Sequence, residues 1–232
     1  MPQSGYMCDV NVSAADVVNT TLNLMTYNND GESYSHTFTV NKAGPISIFI
    51  YVYENTNINA VYYSNTNWAG TGTAESWNNF NIAQGPNDQL AGGTTPNFSY
   101  EFDTYIKGPI TGTVNFEISH DDGIEFTIDG TLQPFSHDQV TTINGNLGAA
   151  GWFFANFSYT MTQDQLYRFQ VKWNNPGGNG DRMLWYWDYT GQSQTIIPST
   201  SYYLPVSTGP TQINSLCPTG YSPDANYDCV EV

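Results

Sequence analysis

Residues 114–130 read VNFEISHDDGIEFTIDG. Apolar and polar residues alternate on both sides of a polar corner, His120-Asp121-Asp122-Gly123. A period of two puts successive side chains on opposite faces, which is a strand and not a helix. Two such runs joined at a corner commit the middle of the chain to β-structure and set adjacent carboxylates at one end of it. Asp129-Gly130 then reads as a hairpin turn, because both residues tolerate positive φ.

The same pattern recurs along the chain. Strands are expected at residues 34–40, 46–53, 98–106, 112–118, 124–128, 153–160, 166–173 and 183–189, where Tyr, Phe, Thr, Ile and Val dominate. Residues 54–97 read as long and loop-like, rich in Asn, Gly and Thr, although they carry Trp68, Trp77 and Phe80. A second loop, 131–151, ends in Gly-Ala-Ala-Gly before Trp152, and a third covers 174–181. The tail from about Gln192 holds Pro198, Pro205, Pro210, Pro218 and Pro223, so it should wrap rather than pair centrally. No segment shows a sustained helical period with caps. Many short strands with turns between them make an antiparallel all-β sandwich or barrel. The expected organisation is a domain over residues 46–205. Segments 1–45 and 206–232 would pack together as a small subdomain.

Charge narrows the partners. The chain has 232 residues, 5 of them Lys or Arg against 21 Asp or Glu, for a net charge of −16. Such a chain cannot neutralise phosphates, so nucleic acid and anionic membrane are excluded as partners. Charged residues are only 11% of the total. Asn, Thr, Ser, Gly and Tyr must therefore cover the surface, which suits an extracellular protein that recognises neutral polar ligands. No apolar run approaches the roughly 20 residues of a membrane span. A mature secreted segment is expected. Of the three cysteines, Cys8 lies near one end and Cys217 and Cys229 near the other. A bridge from Cys8 to either of the others would tie the termini across a loop of roughly two hundred residues. One cysteine is left over.

Several segments occur in a fixed order. Tyr105-Ile106-Lys107-Gly108-Pro109 comes with Gly112-Thr113-Val114-Asn115-Phe116, then Asp121-Asp122-Gly123 with Phe126-Thr127-Ile128-Asp129-Gly130. Tyr167-Arg168-Phe169-Gln170-Val171-Lys172-Trp173-Asn174 follows, and Leu184-Trp185-Tyr186-Trp187 closes the set. This order resembles the protective-antigen-type domain, a β-sandwich found in a bacterial toxin component, some glycosidases, yeast flocculins and epithelial adhesins. Within that superfamily the chain looks most like the fungal cell-wall adhesins. The resemblance implies that Asp121 and Asp122, joined by a cis peptide, bind Ca2+. It also implies that Asn174 adds a ligand, with main-chain carbonyls at Pro176 and Gly178. The cysteine-rich insertion of the flocculin branch is absent here.

The residue chemistry fits that implication. Calcium is a hard cation that takes six to eight oxygens at about 2.3–2.6 Å. Successive side chains in a strand diverge. A cis bond between them, costing about 3–4 kcal/mol for a non-proline residue, would let both carboxylates converge. Positions left over can take water or two vicinal hydroxyls, so a sugar can chelate the ion. The ligand-binding set expected is Asp121, Asp122, Trp152, Asn174, Asn175 and Gly177. Trp152 follows small residues and would stack on a sugar ring. The loop of Asn175 and Gly177 would form the wall. Trp173, Trp185 and Trp187 sit in strand patterns and are expected in the core. His36, His120 and His137 are too scattered for a histidine metal cluster.

No nucleophile elbow, phosphate loop or Cys/His pair is present, and no catalytic residue is expected. Glu117, Asp121 and Glu125 could supply an acid pair only with suitable spacing across a cleft. The expected protein is therefore not an enzyme but a calcium-dependent lectin domain of a fungal cell-surface adhesin, secreted to the cell wall. Its partners would be glycans or chitin ends carrying terminal N-acetylglucosamine, with mannose or galactose next. A monomeric domain with intrinsic affinity near millimolar, about −4 kcal/mol, would act through many copies per cell. Two other classes stay open: an accessory carbohydrate-binding module of a glycosidase, and a protein-binding adhesion domain.

Overall fold

The structure is a computed structural model. It describes residues 6–14, 23–24, 26–28, 33–35, 44–84, 97–121, 123–134, 136–137, 152–175, 181–215, 217, 221–224 and 229–231. The chain divides into two compact units, Met1–Asn55 with Pro205–Val232, and Thr56–Leu204. In the first unit β1 (Tyr6–Ala14) pairs antiparallel with β2 (Asn23–Leu24) and, along its whole length, with β5 (Gly44–Asn55). A hairpin of β3 (Thr26–Asn28) and β4 (Ser33–Ser35) belongs to the same unit. Cys217 in this unit is disulfide-bonded. Residues 46–53, read from the sequence as the first strand of the larger domain, pair here with β1.

The second unit is an antiparallel sandwich. Its strands are β6 (Ile58–Tyr63), β7 (Thr73–Trp77), β8 (Asn81–Gln84), β9 (Phe98–Lys107), β10 (Gly112–Asp121), β11 (Gly123–Ile128) and β12 (Thr131–Leu132). β13 (Ser136–His137), β14 (Trp152–Met161), β15 (Leu166–Asn175), β16 (Asp181–Tyr189) and β17 (Gln192–Ile196) follow, and β18 (Tyr202–Ser215) begins in it. The front sheet runs β12-β11-β15-β9, and β9 also pairs with β6, which pairs with β7. The back sheet runs β13-β14-β10-β16-β17, with β8 also on β16. Beyond the sandwich, β19 (Tyr221–Pro223) and β20 (Cys229–Glu231) form a hairpin of the first unit. No helix among the described residues is long and apolar enough to cross a membrane.

Alternation places the core. In β9, Phe98, Tyr100, Phe102, Thr104 and Ile106 turn inward while Glu101, Asp103, Tyr105 and Lys107 do not. Val114, Phe116 and Ile118 of β10 share one core with Phe126 of β11 and Phe169 of β15, and the Phe116 and Phe169 rings stand 5.9 Å apart across the sandwich. Phe126 stands 4.7 Å from Phe157 and 5.5 Å from Trp185 between ring centroids. Offset and edge-on ring pairs of this kind add attraction beyond their buried area. Trp173, Trp185 and Trp187 are all buried, as their strand patterns indicate.

Two stretches differ from the sequence reading. Residues 54–97 are not one long loop: β6, β7 and β8 lie within them. Asn, Thr and Gly dilute the pattern, yet Ile58 and Ala60 alternate into the core and β6 pairs with β9 from Asn59↔Asp103 to Tyr63↔Ser99. Trp77 and Phe80 pack there too, with Phe80 stacked on Trp185 at 4.9 Å. The proline-bearing tail also pairs: β17 lies on β16, and Tyr202 and Tyr203 lie opposite Ile106 and Tyr105. Pro198 sits before a 3-10 turn and Pro205 beyond those two residues, so neither interrupts that pairing.

Gly108 shows why a glycine follows Lys107. Its N–H donates to Gln165 O at 2.8 Å and its carbonyl accepts from Asp164 N at 2.9 Å. A Cβ on it would stand 2.3 Å from the Thr162 carbonyl oxygen. Backbone must move to relieve that, so Gly108→Ala should cost about 1–3 kcal/mol. A thermal melt is expected to fall by several degrees; an unchanged melting temperature would show that the turn yields freely.

Candidate functional site

The corner singled out in the sequence is where the chain passes between sheets. Asp121 ends β10 in the back sheet, opposite Trp152 at the start of β14. Gly123 begins β11 in the front sheet, opposite Asn174 of β15. Asp122 lies outside the described residues, and with it the peptide bond expected to be cis. Asp121 is only 5% exposed. Its carbonyl oxygen accepts from the indole Nε1–H of Trp173 at 2.7 Å. The core thus holds the strand end from behind.

Asn174 is 2% exposed. Its Nδ2 donates to Thr66 O at 3.2 Å, while its Oδ1 is buried with no hydrogen-bond partner. Leaving a buried acceptor unsatisfied costs about 1–3 kcal/mol, so this oxygen marks a place where a partner belongs. The neighbour Asn175 is equally buried and ends β15 opposite Phe98.

A short loop closes over Asn174. Asn65 Oδ1 accepts from the N–H groups of Asn67 at 3.2 Å and Ala69 at 3.0 Å, and Asn65 Nδ2 donates to Ala69 O at 2.8 Å. The loop is fastened to the strand beside β15. Ser99 lies opposite Asn174, and its hydroxyl donates to Asn65 O at 2.7 Å and accepts from Trp68 N at 3.2 Å. Trp68 takes a left-handed φ of 54° and donates its Nε1–H to Tyr100 O at 2.9 Å. Holding a bulky residue in that region is strained and needs such fastening. In the sequence these residues fall within a long loop-like stretch, and Asn65, which organises the turn, carries no motif that marks it.

The expected site residues therefore sort plainly. Asp121, Asn174 and Asn175 are buried at one end of the sandwich, and register puts Gly123 directly opposite Asn174. Trp152 is placed by its backbone, opposite Asp121. Pro176, Gly177 and Gly178 lie outside the described residues. His120 is fully buried in β10. Among the described residues no three His, Cys, Asp or Glu side chains gather as a metal group. The donors at hand are one carboxylate and an amide oxygen. An oxygen set of this kind suits a hard cation and not zinc.

A β-sandwich whose chain crosses from sheet to sheet at an acidic corner defines the class of domain. The model of the PA14 domain matches residues 54–201, more than half of the chain, and the chain belongs to that family. No curated protein matches it. Among solved structures it is similar to an anti-sigma factor domain-containing protein from Clostridium clariflavum, at 17% identity and TM-score 0.52, over 63% of this chain and 46% of that one. The chain thus spans less than half the length of that protein. It is also similar to the Epithelial Adhesin 9 A domain from Candida glabrata in complex with Galb1-4GlcNAc, at 12% identity and TM-score 0.45, over 65% and 90% of the two chains. A PA14 sugar-binding domain from an RTX adhesin gives 16% identity and TM-score 0.42, over 62% and 96%.

Proposed function

We propose that this chain is a calcium-dependent sugar-binding domain of a cell-surface adhesin of fungal type. The observation that carries the reading is the buried, unpartnered Oδ1 of Asn174 beside the corner that ends in Asp121. Asp121, Asp122 and Asn174, with the carbonyls of Pro176 and Gly178, would hold the ion. Bound calcium would supply a cation on which vicinal hydroxyls replace water. The chain's own part is to bury Asp121, to fix it through Trp173, and to wall the site with the loop at residues 64–69. Asn175, Gly177 and Trp152 would complete the wall. The sugar proposed is a terminal N-acetylglucosamine of a glycan or chitin end, on the family resemblance and the absent flocculin insertion. The site would work outside the cell, where a chain with net charge −16 meets calcium and neutral glycans.

The positions of Glu117, Glu125 and Asp121 support binding rather than catalysis. Glu117 and Glu125 are each half-buried between inward-facing neighbours, on opposite sheets, so they turn to opposite outer faces. Glu117 and Asp121 share a strand four positions apart, about 13 Å at the rise of a β-strand. Glycosidase pairs stand about 5–9.5 Å apart.

Calcium should bind the folded chain and not the unfolded one. At a hundredfold its Kd it would add about 2.7 kcal/mol, raising the melting temperature on the order of 5–10 °C for a unit of this size. Chelation should reverse the rise, and magnesium should give much less. A glycan array with and without chelator reads the sugar. Monosaccharide binding that ignores chelator, or a melting temperature that ignores calcium, defeats the proposal.

A further inference from the structure

The outer face of the front sheet carries a groove of about 380 Å³. It crosses β6, β9, β15 and β11, and Asn59, Glu101, Gln170, Lys172, Glu125 and Thr127 line it. These are the outward positions of the four strands, two residues apart, so the alternation that builds the core also builds this surface. Three strand spacings make it about 14 Å across, longer than one sugar ring. Its volume is within the range of small-ligand sites.

We propose that this groove binds an uncharged glycan chain. The lining supplies what hydroxyl groups pair with: the amides of Asn59 and Gln170, the hydroxyl of Thr127 and the carboxylate of Glu125. Charge argues for a neutral ligand. Lys172 Nζ is 3.3 Å from Glu101, whose other oxygen accepts from Tyr63 OH at 2.9 Å. Arg168 Nε donates to Asp103 Oδ1 at 2.9 Å as part of a two-pronged ion pair. Both cations and two of the carboxylates are thus already engaged. An anionic polymer meets no spare cation here, and a cationic one meets little spare acid.

Lys172 links the groove to the calcium-proposed end of the sandwich. It lines the groove, stands two residues before Asn174, and holds its Nζ 5.4 Å from the ring centroid of Trp68. That ring belongs to the loop that closes over Asn174. A chain whose end sits at Asn174 can therefore continue past Trp68 along the sheet. The inference takes its ligand class from the sugar-binding reading but makes no use of the ion.

The test uses the full chain and calorimetry. The probes are N-acetylglucosamine, glucose, and the hexasaccharides of β-1,4-linked N-acetylglucosamine, β-1,4-linked glucose and β-1,3-linked glucose, each in calcium and in EGTA. At least one hexasaccharide is expected to bind tenfold more tightly than its monosaccharide, and to retain binding in EGTA. The double variant Gln170→Ala/Thr127→Val should lose at least fivefold on that hexasaccharide, with monosaccharide binding in calcium and the melting temperature unchanged. The groove is overturned if no hexasaccharide gains over its monosaccharide, or if the variant keeps the gain. It is equally overturned if a β-1,4-linked glucosamine hexamer, added as a cationic control, is the sole oligomer to bind and salt abolishes it. Calcium-dependent monosaccharide binding without a chain-length gain sinks the groove alone. A chain-length gain alongside monosaccharide binding that ignores calcium sinks the ion site alone.

Discussion

Asn174→Ala should weaken calcium binding by a hundredfold or more, roughly the span that ligand count and charge cover in such sites. The expected pattern of stability is specific. In calcium the variant should melt below the unmodified chain, because it loses the ion's contribution. In EGTA the two should melt close together. The side chain donates one hydrogen bond to Thr66 O, about 1 kcal/mol, but it also buries an oxygen without a partner, which costs about as much. Removing both nearly cancels. Asn174→Asp separates the roles: it keeps an oxygen for the cation and adds charge, but no longer donates to Thr66. Calcium binding should survive in Asn174→Asp and vanish in Asp121→Asn and Asp122→Ala. If Asn174→Ala lowers stability equally with and without calcium, the amide is a structural fastening for the loop and the site lies elsewhere.

Trp173 is the second position of large effect, because it joins the core to the site. It is fully buried, with ring contacts to Phe98 at 5.1 Å, Tyr100 at 5.8 Å and Trp77 at 6.5 Å. Trp173→Ala should cost about 3–5 kcal/mol, a fall in melting temperature on the order of 10 °C. Trp173→Phe is the informative change. It keeps an aromatic ring but deletes the N–H that binds Asp121 O at 2.7 Å. Residues that orient metal ligands typically contribute 10–100-fold in affinity. Trp173→Phe should therefore weaken calcium about tenfold or more while costing only about 1–3 kcal/mol of stability. Unaltered calcium affinity in Trp173→Phe would show that the indole serves packing alone.

Much of this was legible in the residues. Alternation across 98–128 and 166–173 is local, and so is the Asp129-Gly130 turn, whose φ values of 49° and 77° are the positive pair expected of a tight hairpin. The acid corner and Asn174 stood out because a family order tied them together. β6 and β8 did not, since β9 and β16, on which they lie, come far along the chain. The loop over Asn174 was equally hidden: it rests on hydrogen bonds that the carbonyls of Thr66 and Asn65 accept from residues 108 and 34 positions away.

By itself the sequence determined which faces of which strands are apolar, where the chain must turn, and that its surface repels anions. Those follow from side-chain type and a period of two, which neighbours in the chain settle between them. Only the tertiary structure decided that Asn174 is buried with a free oxygen, that Trp173 reaches the corner carbonyl, and that polar positions of four strands form one groove. Each depends on register and on contacts between distant segments, whose free energy exists only once the sheets have closed on each other.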